Sequence, residues 1–573
     1  MEEDKIIKER KEKILKMFSK NIYVKIFSII TASLFIISLL QFANLDISFI
    51  NFLSFNEWLY LSIAFAISTI LAYYEKTKLM FIPILIWLLF FGIQIRMLPM
   101  SDHENRPGLW DITTNSWTLG PDLDPWLFYR YAKEMIETGS LSKIDSMRNV
   151  PLGFDTTTEL QMVSYLIVLT YKILNIFGEF SVEFAALFFP VWIFFFTIIA
   201  FFLFVREIFI RDTKESRIKA EVISLISTFF MIISSSFLSR TIAGIPEKES
   251  GAFLFLFLSF YFFIKAWESK KDFNSIIFSL LAGISTALMG LTWGGVLYSF
   301  ITIGGAMFIA LILNKVNKKE YFIYLTWIIS SIFIIMIFTN RFSFSAMLTS
   351  LDTGLCWIVL ILSTIHIIIW ETPIKNKFIK LNKLPKNIIS IVIGIIIIIF
   401  AILIFLGPNF IIEKIQVIHG TIFKPVTGRW SMTVAENRQP DFKEWSISFG
   451  PFVSNIPVLF WLFIIGSIVL FKKVFEKINQ KDGLILTGLY IFFLIGLVFS
   501  RYSSSSIFNG ENFISKTLYY SSALLFIAGL IYFYFIYYKN KKESFEKIEF
   551  KYILLFMIFI LTLFTARGAV RLI

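Results

Sequence analysis

The sequence predicts an all-α polytopic integral membrane protein, and three observations carry that prediction. Of 573 residues, 57% are hydrophobic and 18% aromatic, only 17% are charged, and mean hydropathy is +0.73, a balance outside the range of soluble globular domains. Apolar runs near 20 residues, enough to cross a hydrocarbon core of about 30 Å, recur along almost the whole chain. These runs are continuously apolar and do not alternate with period two, which excludes a closed β-barrel.

Taken in order, the runs place spans at 22–43, 58–74, 80–97, 183–205, 220–239, 251–267, 274–292, 295–314, 322–339, 351–370, 388–407, 456–471, 483–499, 519–537 and 551–566. The N-terminal stretch MEEDKIIKERKEKILKMF is charged for too long, and lacks a small-residue cleavage site, to be a secretory signal. Basic clusters separate the spans: the N-terminus, 75–78, 206–219, 268–272, 314–320, 374–386, 472–481 and 539–551. Such clusters mark cytoplasmic loops. All eight fall on one side only if the apolar stretch 161–178 does not cross and instead lies on the outer surface as an amphipathic or re-entrant helix. The formal charge of +13 is accounted for by these clusters, so it gives no reason to invoke nucleic acid.

This threading leaves three outer features that packing of a helix bundle does not require: a loop at 98–182, a short turn at 244–250 and a loop at 408–455. Between residues 97 and 160 the first carries ten acids against five bases. Loops of this length are usually functional or disordered.

Four acids stand out. Asp124 precedes Pro125, and a helical pattern follows until Gly139, so the segment reads as an N-cap, a first-turn proline and a C-terminal glycine. Capping is compatible with ligation, because a carboxylate has two oxygens; Asp122 is a supporting or solvated neighbour. Glu247 and Glu249 flank Lys248 in IPEKES. If that segment is extended after Pro246, both point the same way, which suits a hard cation. The alternative is an ordinary interfacial loop with snorkelling charges. Glu436, in GRWSMTVAENRQPDFKEWSISFG, lies within reach of Arg429 and Arg438, and a simple ion pair is its plain alternative. Carboxylates from three outer loops, with only three histidines in the chain, favour Mg²⁺ or Mn²⁺ over zinc.

Several chemistries have no motif here. There is no phosphate-cradling glycine loop with Lys-Ser/Thr, no HExxH and no GxSxG. The lone Cys356 excludes disulfides and cysteine metal sites. Small residues in GGVLYSFITIGGAMF (294–308) read as helix packing.

LDPWLFYR (123–130), SRTIAGIPEKES (239–250) and TVAENRQP (433–440), in that order, resemble the motifs of oligosaccharyltransferase catalytic subunits, the Stt3/AglB/PglB family. LGPDLDPWLFYR with RNVPLGFDT (148–156) is most similar to archaeal members, and the resemblance runs from about residue 80 to the end. It implies a GT-C fold with long exofacial loops, an archaeal cell membrane location with cytoplasmic N-terminus and extracytoplasmic active site, and transfer of an oligosaccharide from a polyprenyl (dolichyl) phosphate or diphosphate to Asn in Asn-X-Ser/Thr. The implied partners are the lipid-linked oligosaccharide, the acceptor polypeptide and the bilayer. Asp124 matches the aspartate that binds metal and contacts the acceptor amide. Glu247 and Glu249 match the second acidic pair of the metal site, and Glu436 the glutamate that engages the acceptor asparagine. A family arginine contacting the residue before that asparagine matches Arg571 by local wording (ARGAVRLI) and Arg501 by distance from Glu436 (FSRYSSSS); Arg571 is preferred.

The chain departs from the family in three ways. Residues 1–79 add a hairpin of two spans ahead of the GT-C region at 80–573. Both members of the acidic pair are glutamate, where DxD or DxE is usual. WWDYG, the sequon-reading motif of a C-terminal globular domain, does not occur. The expectation is therefore that final spans and this domain are missing, that a separate C-terminal fragment is a partner, and that the chain is not competent alone. Two competing readings are another GT-C enzyme, such as a protein O-mannosyltransferase or a lipid-A-type sugar transferase, and a transporter. The former has no need of the Glu436 motif; the latter places its charges within spans.

Overall fold

The computed structural model describes residues 22–43, 53–102, 108–378, 385–423, 439–449, 452–453, 456–476, 478–540 and 547–568. Its principal helices are α1 (Ile22–Phe42), α2 (Phe55–Tyr73), α3 (Ile82–Met97), α4 (Leu123–Thr138), α5 (Met162–Leu174), α6 (Val182–Phe209), α7 (Lys214–Ile233), α8 (Lys248–Glu268), α9 (Asp272–Thr292), α10 (Val296–Ile312), α11 (Lys318–Phe338), α12 (Leu351–Glu371), α13 (Lys386–Phe405), α14 (Pro408–Phe423), α15 (Val458–Val474), α16 (Gln480–Phe499), α17 (Phe513–Asn540) and α18 (Phe550–Gly568). Twelve of the fifteen predicted spans are helices long and apolar enough to cross a membrane. The other three fall on α7, α10 and α15. Helix α5 has 13 residues, about 20 Å at 1.5 Å per residue, too short to cross as a straight helix.

Two expectations are corrected. The predicted span 220–239 is not one helix: it breaks at Ser234, whose backbone is extended (φ −62°, ψ 122°), and resumes as a single turn at Ser235–Leu238. Serine hydroxyls compete for backbone partners: Ser235 and Ser236 donate to the Ser448 carbonyl at 2.9 and 2.8 Å. The loop expected at 408–455 opens with α14 and carries a second helix, Phe442–Phe449. Proline at the first position of α14 and apolar residues at Ile411, Ile412 and Ile415 give it a helix start and a helical face that length alone concealed.

The chain divides into two compact units. In the first (Met1–Tyr129, Ile167–Ile233 and Thr241–Ser250), α1 and α2 form a hairpin whose Phe27 meets Phe65 and Phe81 edge-on, each at 5.8 Å. A capping box at Ser54 and Glu57 starts α2. Helix α3 lies against α6 closely enough that a Cβ on Gly92 would come within 2.6 Å of Ile198 Cδ1, the small-residue contact that brings membrane helices together.

The second unit comprises Arg130–Leu166, Ser234–Arg240 and Gly251–Ile573. Here α9 and α11 touch at Gly283, where a Cβ would stand 1.9 Å from Ser330 Oγ and 2.9 Å from the Trp327 carbonyl. Trp327 is fully buried and donates to Thr286 Oγ1 at 3.0 Å, and Thr286 in turn bonds Ser259 at 2.7 Å. Without water as a competitor, each buried polar group needs such a partner. Lipid-facing surfaces stay apolar, as in α13, whose Phe400, Ile404 and Phe405 are exposed.

Candidate active site

In the first unit, the chain leaving α3 folds over the acidic turn. Leu109 N–H donates to Pro99 O and Thr118 N–H to Leu109 O, at 3.0 and 2.9 Å. Between them a two-residue antiparallel ladder pairs Trp110 with Trp117. Asp111 accepts bonds from Thr114 and Thr113, which hold its carboxyl below the usual range.

The decisive link is between two glycines. Gly120 N–H donates to Gly244 O at 2.8 Å, while Gly244 N–H donates to Leu187 O at 2.9 Å. Gly244 has φ +84°, and a Cβ there would meet Leu109 Cδ1 at 2.5 Å; a Cβ on Gly120 would meet Ile245 Cγ1 at 3.1 Å. Only glycine at 244 gives both the left-handed turn and the close approach. This junction brings the segment ahead of Asp124 against the segment ahead of Glu247.

Helix α4 begins at Leu123, so Asp124 sits in its first turn and not at the cap predicted for it. It is exposed. Trp126 Nε1 donates back to Gly120 O at 3.3 Å, fixing the helix start to the junction. Gly139, at φ +85°, closes α4 as predicted.

The extended reading of IPEKES is also corrected. Helix α8 starts at Lys248, so Glu247 precedes it and Glu249 lies in its first turn. The helix start thus separates the pair, and Glu247 is 7% exposed while Glu249 is half-buried. Pro246 explains the start: it disfavours helix before it and permits one after it. Lys248 turns aside, its Nζ 5.3 Å from the Phe128 ring.

Asp124, Glu247 and Glu249 therefore belong to one unit and to segments joined at Gly120 and Gly244. Among the described residues, no three histidine, cysteine or acidic side chains gather closely enough to hold a metal. Glu436 and Arg571 lie outside the described residues. Arg501 is described: Nη1 donates to Gln439 Oε1 at 3.0 Å, and Nε stands 3.3 Å from Asp441 Oδ1. Gln439 belongs to TVAENRQP, so the structure attaches Arg501 to the end of the motif that carries Glu436.

The sequence did not single out a polar network around the loop that follows α4, in the second unit. Arg130, which ends LDPWLFYR, pairs through both terminal nitrogens with Asp145. Tyr131 donates to Asp145 at 3.0 Å, and Arg148 donates to the Tyr131 hydroxyl at 3.0 Å and to Glu159 at 3.2 Å. Arg341 stands 3.8 Å from Glu159, and Asn340 donates to Thr157 at 3.1 Å. The Arg130 guanidinium holds the Asp145 carboxyl below its usual range despite burial, and burial pushes the Tyr131 hydroxyl up. The signal available in the sequence was the interleaving of bases among the ten acids of this loop.

Twelve helices long and apolar enough to cross a membrane, among the described residues, make the chain a polytopic membrane protein, and its fold is of GT-C type. A profile described as oligosaccharyl transferase STT3, N-terminal, matches residues 111–502, and the chain belongs to that family. The STT3 subunit of dolichyl-diphosphooligosaccharide–protein glycosyltransferase of Saccharomyces cerevisiae is 32% identical over 117 residues, 20% of this chain and 15% of that protein. Its Schizosaccharomyces pombe counterpart is 25% identical over 222 residues, 36% of this chain and 26% of that one. The archaeal oligosaccharyltransferase AglB from Archaeoglobus fulgidus, solved with an inhibitory peptide and a dolichol-phosphate, superposes with a TM-score of 0.53 at 17% identity over 79% of this chain. Its apo form gives 0.53 at 18% identity over 86% of this chain and 56% of that one. The chain spans about half the length of that peptide-bound AglB chain, 50% of which is covered.

Proposed function

We propose that this chain is the membrane catalytic part of an oligosaccharyltransferase, moving an oligosaccharide from a polyprenyl (dolichyl) phosphate or diphosphate to the asparagine of Asn-X-Ser/Thr on the outer membrane face. The observation that carries the proposal is the family match over 111–502, which encloses all three acidic motifs. That an AglB relative was solved with a peptide and a dolichol-phosphate supports the same two substrate classes here.

The carboxylates of Asp124, Glu247 and Glu249 fit a hard divalent cation in kind, since every donor is an anionic oxygen. They are the proposed holders of Mn²⁺ or Mg²⁺, which when bound supplies charge stabilisation for the leaving phosphate. An amide nitrogen is a weak nucleophile because its lone pair is delocalised, a resonance reflected in a rotation barrier of about 18–20 kcal/mol. Asp124 and Glu436 accept hydrogen bonds from the acceptor NH₂ and offset part of the cost of twisting it. The nitrogen then forms its bond to the sugar as the sugar–phosphate bond breaks, and the amide proton leaves to a carboxylate or to water. Arg571, or else Arg501, contacts the acceptor beside its asparagine. The site faces away from the cytoplasm and the N-terminus lies within it.

The test is transfer to an Asn-X-Thr peptide from lipid-linked oligosaccharide, with the complete enzyme. Asp124→Ala lowers turnover at least a hundredfold; retained turnover eliminates this assignment.

A further inference from the structure

Arg96, near the end of α3, is fully buried, yet no carboxylate among the described residues forms an ion pair with it. Its Nε donates to Thr241 Oγ1 at 3.2 Å and its Nη1 to the Ile232 carbonyl at 2.5 Å. The guanidinium lies over the Phe194 ring, 3.8 Å from its centroid. Nη2 is buried and makes no hydrogen bond among the described residues. The carbonyl of Arg96 accepts the Ala243 N–H at 2.9 Å.

A buried, unpaired guanidinium is costly near a bilayer, and an apolar chain of similar length would fill the same space. What the guanidinium adds is direction. Ile232 is in the last turn of α7, where carbonyls lack helical partners and the helix dipole favours a cation. That helix end, with the Phe194 face, takes the place of a carboxylate. The other donated bond and the backbone bond both go to the segment that leads into the acidic turn, at Thr241 and Ala243. One residue further on, Gly244 bonds Leu187 and Gly120. Arg96 thus ties α3, the end of α7 and the start of the turn together, six residues ahead of Glu247.

We infer that Arg96 is the positioning residue of the acidic turn, holding Thr241–Glu247 in register with the segment ahead of Asp124. The inference rests on the proposed role of Glu247 and Glu249, and two readouts separate it from that role. The first is hydrogen exchange of peptide 239–250 in the metal-free, detergent-solubilised full chain. The second is Mn²⁺ affinity by titration calorimetry. Arg96→Met speeds exchange of 239–250 at least tenfold, leaves 272–338 unchanged, and weakens Mn²⁺ about tenfold, as loss of a group that orients metal ligands does. Arg96→Lys recovers part of both effects. Arg206→Met removes the Arg206–Glu221 ion pair elsewhere in the same unit and changes neither. If Arg96→Met does not fold, Thr241→Val, which removes the side-chain acceptor, moves both readouts in the same direction. Unchanged exchange of 239–250 in the folded variant, or an equal effect of Arg206→Met, overturns the inference. Faster exchange in a chain that binds no Mn²⁺ even as wild type upholds the positioning role and removes the metal reading.

Discussion

Asp145→Asn isolates one interaction whose magnitude follows from the geometry. The Asp145 side chain is 5% exposed and Arg130 31%. Oδ1 accepts from Arg130 and from Met147 N–H, each at 3.0 Å, and Oδ2 accepts from the second Arg130 nitrogen and from Tyr131. Asparagine keeps one acceptor oxygen but turns an NH₂ toward two donors and removes the charge. Breaking a buried ion pair costs about 3–5 kcal/mol; with Arg130 one-third exposed, solvent reduces this to about 2 kcal/mol. At roughly 1.4 kcal/mol per tenfold, the opening equilibrium of the 144–159 loop rises about 30-fold. Hydrogen exchange of the 144–159 amides measures it directly, and protection there falls by that factor while α9 and α11 keep theirs. The effect has a pH signature. The carboxyl of Asp145 is held below its ordinary value in the fold, so its contribution is fully present above the unfolded value of about 4 and fades as pH falls below it. Wild type and variant therefore converge in acid. Unchanged protection at neutral pH, or a difference that persists in acid, refutes the argument.

Two further outcomes follow from other contacts. Gly283→Ala forces the Trp327 carbonyl and Ser330 away from α9 and lowers stability by about 1–3 kcal/mol, read as a lower thermal unfolding midpoint; adding Ser330→Ala restores only part, because the backbone contact remains. Arg501→Met releases Gln439 and Asp441 and speeds exchange across 439–449, whereas Arg571→Met raises the acceptor KM of the complete enzyme about tenfold; a KM effect from Arg501→Met with unchanged exchange reverses the two assignments.

Much of this architecture was legible because membrane spans are set by length and apolarity, properties of contiguous residues. That is why twelve of fifteen spans coincide with long apolar helices, and why 161–178, excluded from the spans on loop charge alone, holds only the 13 residues of α5. Local signals at α4 were likewise readable, since Pro125 and Gly139 act on their own backbone. Helix boundaries were not: Asp124 moved from cap to first turn, and a helix starting at Lys248 split Glu249 from Glu247, because one residue of register decides where a side chain points.

The sequence by itself determined that the chain lives in lipid and where most of its long apolar helices run. Tertiary structure alone decided which distant segments meet. Nothing in the strings around Gly120 and Gly244 announces that their backbones touch, that Arg96 anchors the acidic turn, or that Arg130 serves Asp145. Those pairings span 15 to 145 residues, and they depend on where helices cross, which is settled by side-chain shape across the whole bundle.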